Sequence, residues 1–327
     1  MQDRMIARAK ELLADGTVDR VMGWKKGEFL YDATPAVFYS AEELDAGFVM
    51  NAFTAANVSK YLIEETKKEG KILAFLKPCD SFSFRQLMNE HRVDRDRVYI
   101  VGIPSWGKAD MEKIRQKGIT GITSIEEREG DFVVNTILRE THTVKKYDVY
   151  LEKCKNCKSK EIVVYDELLD GENGAAVTNG RFDEVAKLEA MTPDERFAFW
   201  QNELSRCIRC NACRNVCPAC TCEKCVFDNP KSGIENKAAA TSFEENMFHI
   251  IRAFHVAGRC TDCGECSRVC PQHIPLHLLN RKFIKDMNEL YGDFQAGEAE
   301  QQRHPVTSYR TDDAEPGVIY TRGGTGK

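Results

Sequence analysis

The stretch Cys207-Ile-Arg-Cys210-Asn-Ala-Cys213-Arg-Asn-Val-Cys217-Pro218 returns downstream as Cys260-Thr-Asp-Cys263-Gly-Glu-Cys266-Ser-Arg-Val-Cys270-Pro271. Both read C-x2-C-x2-C-x3-C-P, the run that holds a pair of [4Fe–4S] cubanes. Three closely spaced thiolates bind three irons of one cube, and the fourth cysteine, just before the proline, ligates the other cluster. The expected ligand sets are Cys207, Cys210, Cys213 and Cys270 for one cluster, and Cys260, Cys263, Cys266 and Cys217 for the other. A single run is within reach of coincidence in a cysteine-rich chain; two complete runs are not. The chain is expected to carry electrons.

The surroundings of these runs read as helical. Thr192-Pro193-Asp194-Glu195 is a capping box with proline at the first helical position. Phe197, Trp200 and Leu204 follow as an apolar stripe expected to face a core. Ser242-Phe243-Glu244-Glu245 is a second capping box, with Phe243, Met247, Ile250 and Phe254 as its stripe and Gly258 as its end. Each helix runs into a cysteine cluster. The long spacer between Cys217 and Cys260 is more than a compact β-type repeat holds. Over about residues 192–286 the chain resembles the all-helical ferredoxin domain of fumarate and heterodisulfide reductase iron–sulfur subunits.

Upstream the pattern changes to α/β. Lys71–Leu76 and Val98–Ile103 are short apolar runs of the kind buried strands show, with helical character over Ser81–Arg92 between them. A helix over Lys108–Lys117 closes at Gly118. Val18–Trp24 and Ala36–Tyr39 are further strand candidates, and a helix is expected over Val58–Glu69 before Gly70. Alternating strands and helices favour a parallel or mixed sheet with helices packed on it. The expected organisation is an α/β domain over 1–185, a helical two-cluster domain over 186–291, and an extended or disordered tail over 292–327.

Six cysteines are left over: Cys79, Cys154, Cys157, Cys220, Cys222 and Cys225. Cys79 follows the strand candidate ending at Leu76, and ligands collect at the carboxyl ends of strands in such sheets. Cys154 and Cys157 form a C-x2-C pair before the strand-like Ile162–Tyr165. Together the six form a candidate third site, for an iron–sulfur cluster or zinc, with free thiols as the bland alternative.

The order apolar strand, Pro78-Cys79, helix, apolar strand with Gly102-Ile103, then Lys153-Cys154-x-x-Cys157 resembles the beta subunits of coenzyme F420-reducing hydrogenase and F420-dependent formate dehydrogenase. The resemblance spans about residues 55–170. It implies flavin, an iron–sulfur cluster at Cys79, Cys154 and Cys157, and electron exchange with the deazaflavin F420. Relatives often carry a cysteine in a Gly-x-x-Cys turn after the second strand, where this chain has Ser105. A serine ligand, a cysteine from Cys220–Cys225, or no cluster at all each fits that departure.

Composition removes other classes. The 327 residues are 42% hydrophobic and 30% charged, with a net charge of −5, which is no nucleic-acid footprint. Met1–Ala14 lacks the apolar core of a secretory signal, and no stretch is apolar enough for a membrane span. Fourteen cysteines without an export signal indicate metal thiolates in a reducing cytoplasm. Gly171–Gly174 and Gly180 fit no dinucleotide fingerprint, and Gly323–Lys327 fails the phosphate-loop pattern. His249, His255, His273 and His277 are expected to pack, or to hydrogen-bond to cluster sulfur, and not to ligate. No catalytic constellation and no cofactor-binding residue is evident outside the cysteines.

Three functions remain in order of preference. The first is an iron–sulfur electron-transfer subunit working with a flavoprotein, hydrogenase or dehydrogenase-like partner, with ferredoxin or F420 as a carrier. The second is a flavin-containing catalytic subunit acting on F420 or a similar carrier. The third is a structural zinc protein.

Overall fold

The computed structural model describes residues 1–159, 161–171, 180–229, 231, 242–301, 303–308 and 310–313, with the backbone alone for 242–245. A five-stranded mixed sheet organises the first half, in the order β2-β1-β3-β4-β8. Its strands are β1 (Arg20–Lys26), β2 (Ala33–Phe38), β3 (Ile72–Leu76), β4 (Val98–Gly102) and β8 (Glu167–Leu168). β1 and β2 form an antiparallel pair with Val21 opposite Phe38; β1, β3, β4 and β8 run parallel. β3 is Ile-Leu-Ala-Phe-Leu and buried at every residue, as expected of a strand covered on both faces.

The helices of this half are α1 (Gln2–Ala14), α2 (Ala41–Gly47), α3 (Leu62–Glu65), α4 (Pro78–Asn89), α5 (Met111–Gln116), α6 (Lys146–Val149) and α7 (Glu152–Lys155). Met5, Ala9 and Leu12 of α1 join Trp24, Phe75 and Phe84 in one core. α4 begins earlier than its apolar pattern indicates. Pro78 takes the first helical position, and the Asp80 carboxylate accepts from the Lys77 backbone N–H at 3.0 Å. Cys79 therefore lies in the first turn of a helix, not in a loop. The expected helix over Val58–Glu69 is shorter, a 3-10 turn over Ser59–Tyr61 followed by α3.

A second sheet, β5 (Ile122–Glu127), β6 (Asp131–Thr136) and β7 (Thr141–Lys145), is antiparallel and absent from the sequence reading. It turns Phe132, Val134 and Val144 onto Ile114 and Val149. The strand-like Ile162–Tyr165 forms no strand; pairing with β4 begins only at Glu167.

The second half is helical: α8 (Asp183–Ala190), α9 (Pro193–Ser205), α10 (Ala212–Asn215), α11 (Ser242–His255), α12 (Glu265–Arg268) and α13 (His277–Tyr291). The capping box at Thr192 is present, with the Glu195 N–H donating to Thr192 Oγ1 and the Thr192 N–H donating to Glu195 Oε2. The box at Ser242 involves side chains outside the described residues. Val185 and Leu188 of α8 pack on Leu278 of α13.

The stripe assigned to α11 does not face the core. Met247, Ile250 and Phe254 are 40%, 39% and 62% exposed, whereas Phe248, His249, Arg252 and Val256 are buried. The helix turns its polar residues inward because they meet sulfur. Phe197 is likewise exposed while Leu204 is buried. In the tail, Phe294, Gln295 and Ala296 are buried, and Lys158 is paired with Asp293 and Glu298. Gly323–Lys327 lies outside the described residues.

Candidate metal centres and their surroundings

The two cysteine runs share one backbone path. Arg209 and Asn211 flank Cys210 at φ +54° and +60°, and Asp262 and Gly264 flank Cys263 at +56° and +65°. Left-handed backbone costs a non-glycine residue about 1–2 kcal/mol, so the same departure in both runs marks a shape held by its surroundings. In the first run it aims the Arg209 N–H at Cys207 Sγ, 3.4 Å away. The third cysteine of each run lies on a one-turn helix, Cys213 on α10 and Cys266 on α12.

Cys207, Cys210, Cys213 and Cys270 line a single cavity with Phe248, His249, Ile274 and Leu276. Three of these thiols come from the first run and one from the end of the second. Cys217 meets Cys260 against Val256 and Ala219. Burial, then Glu265 and Cys217, raises the Cys263 thiol, and burial with Cys217 adding to it raises that of Cys266 to about 11. Cys260 is raised by burial and by Asp262. Such buried thiols keep their protons until a cation replaces them, as metal coordination does.

Arg252 of α11 supplies the test of whether these residues fit iron–sulfur clusters. It is 2% exposed, and its guanidinium meets no carboxylate among the described residues, only thiols. The groups that raise its pKa are thiols from both sets, Cys266, Cys217 and Cys213, together with Cys220. A buried guanidinium without a counter-charge costs several kcal/mol. A thiolate-ligated cluster on either side is an anion and removes that cost. The donor sets fit.

Hydrogen-bond donors also reach the sulfurs. His249 Nε2 stands 3.3 Å from Cys207 Sγ, and Asn280 Nδ2 stands 3.8 Å from Cys266 Sγ. Burial pushes the His249 imidazole down to about 3, with Arg252 and Arg209 adding to the effect. The ring is neutral, and its one N–H belongs on Nε2, facing the sulfur. A net hydrogen bond of about 0.5–1.5 kcal/mol is about 20–65 mV for a one-electron couple. His249→Leu is therefore expected to lower the midpoint potential of one cluster by that amount without loss of iron. Redox titration followed by electron paramagnetic resonance measures it, and an unchanged potential contradicts the assignment.

The remaining six cysteines form two groups, not one. Cys79, Cys154 and Cys157 lie together: Cys157 adds to the upward shift of Cys79, and Cys154 to that of Cys157, which burial takes to about 11. Asp262 of the second run contributes to the same shift. Ser105 lies apart, lining a pocket with Asn51, Trp106, Lys108 and Glu127 that none of the cysteines enters. Cys220, Cys222 and Cys225 line a different cavity with Lys60, Arg214 and Arg259. Among the described residues, no three His, Cys, Asp or Glu side chains converge on one point as a single ion requires.

Three buried lysines surround the first of these groups and escaped the sequence reading. Lys77 reaches Asp80 at 2.8 Å and sits 3.8 Å over the Trp24 ring. Lys108 donates to the Asn51 carbonyl at 2.9 Å, and burial lowers its pKa to about 8. Lys153 donates to the Ala55 carbonyl and pairs with Glu265, which also takes two bonds of 2.8 Å from Arg268. Glu265 belongs to the second cysteine run, so this ion pair fastens Cys154 to it. Gly264 permits the approach, since a Cβ there would stand 2.4 Å from Lys153 Cβ. No single signal in the sequence marks these lysines, because their burial comes from tertiary packing.

A family model described as a 4Fe-4S dicluster domain matches residues 203–274. The F420-dependent formate dehydrogenase subunit beta of Methanocaldococcus jannaschii is 25% identical over 340 residues, covering 84% of this chain and 87% of that protein. The F420-dependent formate dehydrogenase 1 subunit beta of Methanococcus maripaludis is 25% identical over 280 residues, covering 67% and 72%. A chain of the F420-reducing [NiFe] hydrogenase complex from Methanosarcina barkeri, solved in a xenon derivative, aligns with a TM-score of 0.38 at 12% identity, covering 62% of this chain and 86% of that one. The chain is a homologue of the beta subunits of F420-dependent formate dehydrogenases, an α/β region followed by a helical 4Fe-4S dicluster domain.

Proposed function

We propose that this chain is the iron–sulfur electron-transfer subunit of an oxidoreductase complex, conducting electrons between its α/β half and the far side of its helical half. The observation that carries the reading is the succession of thiol groups. Cys79, Cys154 and Cys157 adjoin the second run through Lys153–Glu265 and the 2.9 Å contact of Ser83 with Thr261. The set of Cys260, Cys263, Cys266 and Cys217 adjoins that of Cys207, Cys210, Cys213 and Cys270 across Arg252. Clusters bound at these sets accept and release single electrons. The chain's part is to hold the sets in a row, keep water from them, and place Arg252, His249 and Asn280 where sulfur carries negative charge.

In this reading Cys79, Cys154 and Cys157 hold a third iron–sulfur centre, with Ser105 playing no part in it. The partners that the likeness supports are a formate dehydrogenase-type catalytic subunit and a soluble deazaflavin carrier. Exposed Phe197, Ile250 and Phe254 give the helical half an apolar face of the kind subunit contacts use. Among the described residues no helix is long and apolar enough to cross a membrane. We place the chain in the cytoplasm on its free cysteines.

One observation favours the catalytic alternative, the lowered pKa of Lys108 beside the pocket at the carboxyl end of β4. That pocket measures about 180 Å³. Typical cofactor pockets run to about 300–1,000 Å³, larger than this one. Anaerobically purified chain is expected to hold about eight irons for the paired runs, and about twelve with the third centre. It is expected to release no flavin on denaturation and to show no carrier turnover alone. Flavin at one per chain with turnover would establish the catalytic reading instead.

A further inference from the structure

The cavity beside Cys220, Cys222 and Cys225 is not used by either paired run. It encloses about 450 Å³ and is also lined by Lys60, Arg214, Arg252, Arg259 and His255. Glu223 and Asp228 line it as well, and its least compensated cation is Lys60. Lys60 donates to the carbonyls of Cys220 at 2.9 Å and Arg214 at 3.2 Å, and meets no carboxylate among the described residues. Arg252, whose charge the thiol sets of the paired runs meet, reaches it from the cluster side. Arg214 has Asp228 at 2.8 Å, and Arg259 has Glu90. The three thiols that share the cavity with Lys60 become anions together when metal binds them.

We propose that Cys220, Cys222 and Cys225, with His255, ligate an iron–sulfur cluster separate from the two of the paired runs and from the group of Cys79, Cys154 and Cys157. The inference rests on the electron-transfer reading above. Three thiolates leave one iron of a cube without a protein ligand. His255 is the donor at hand: its exposed imidazole lines the cavity, with the Phe227 ring 6.4 Å away between centroids. Imidazole replaces thiolate on iron in known cluster types. A single zinc is disfavoured because the three thiols do not converge as four donors about 2.3 Å from one ion must. Cys220 packs with Cys217 and Val256, so this cluster abuts the one held by the second run. It forms a side branch of the relay, opening to solvent at the exposed Cys222.

The test uses the full chain, prepared anaerobically with iron and sulfide. Cys222→Ser/Cys225→Ser is expected to lose about four irons and about four sulfides per chain relative to the parent. Cys154→Ser/Cys157→Ser removes a different set, so the two losses add. His255→Cys, the milder variant should the double serine fold poorly, is expected to keep all the iron and lower one midpoint potential. Parent iron that survives Cys222→Ser/Cys225→Ser overturns the inference, as does one zinc per chain lost with those thiols or an unchanged set of potentials in His255→Cys. A parent chain without any iron overturns instead the electron-transfer reading on which the inference rests.

Discussion

Cys270→Ser is expected to abolish the cluster of Cys207, Cys210 and Cys213, not the one nearest to it in sequence. About four irons leave with that change, and the remaining spectrum should match that of Cys210→Ser. The reciprocal variant, Cys217→Ser, should match Cys263→Ser. The reason is the crossing of the two runs: Cys270 lines the cavity of the first three thiols, and Cys217 meets Cys260 against Val256. Each proline-preceding cysteine leaves its own run after a one-turn helix and is delivered to the other set. Electron paramagnetic resonance of the four dithionite-reduced variants distinguishes the patterns. If Cys270→Ser gave the spectrum of Cys263→Ser, each run would hold its own cubane and the crossed arrangement would be wrong.

The second large effect concerns the junction of the two halves. Glu265→Gln leaves Lys153 buried without its carboxylate partner, since the Lys153 and Glu265 side chains are 5% and 0% exposed. Breaking such a pair from one side costs about 3–5 kcal/mol. Lys153→Met is expected to cost less, because Glu265 keeps both bonds from Arg268. The double variant Lys153→Met/Glu265→Gln should recover part of the loss, as it leaves no unpaired charge behind. Thermal melting of the anaerobic holo-protein should rank Glu265→Gln lowest, then the double variant, with Lys153→Met above both. A Glu265→Gln protein that melts with the parent would show that the pair does not fasten the halves. The same variant is expected to slow electron exchange between the Cys79 group and the second run, because the pair is one of the contacts holding them adjacent.

What the sequence discloses depends on whether a residue's role is written in its neighbours. The paired cysteine runs were legible because cluster binding is encoded in spacing. Even the backbone repeats there, with Arg209 and Asn211 matched by Asp262 and Gly264. The α/β order was legible from the apolar runs of β3 and β4. The antiparallel sheet β5–β7 was not, because Ile122–Glu127 is half exposed and mixes Thr, Ser and Glu with its two isoleucines. Ile162–Tyr165 misled for the opposite reason, being apolar where its backbone bonds to the α4 side chains Ser81 and Arg85.

Helix α11 shows the limit of periodicity most clearly. Counting apolar residues selects Met247, Ile250 and Phe254, yet the buried face carries His249 and Arg252. A face that meets thiolates and clusters needs donors and cations, and a hydrophobic pattern cannot register that demand. Lys77, Lys108 and Lys153 are the same case in the other half. Each reads as an ordinary surface lysine until the segments after β3 and β4 and helix α7 are brought together. The six extra cysteines were visible as a group, but their division into two sets follows only from where Lys60 and Lys153 place them.

The most direct test of the account is a reductive titration of the anaerobically purified chain, with iron counted and electron paramagnetic resonance recorded at each step. The account predicts about eight irons or more per chain and at least two one-electron centres. Their signals should broaden one another once both are reduced, because Cys213 and Cys266 face the same Arg252. Stoichiometric zinc with no reducible iron, or reducible centres that show no mutual broadening, would contradict it.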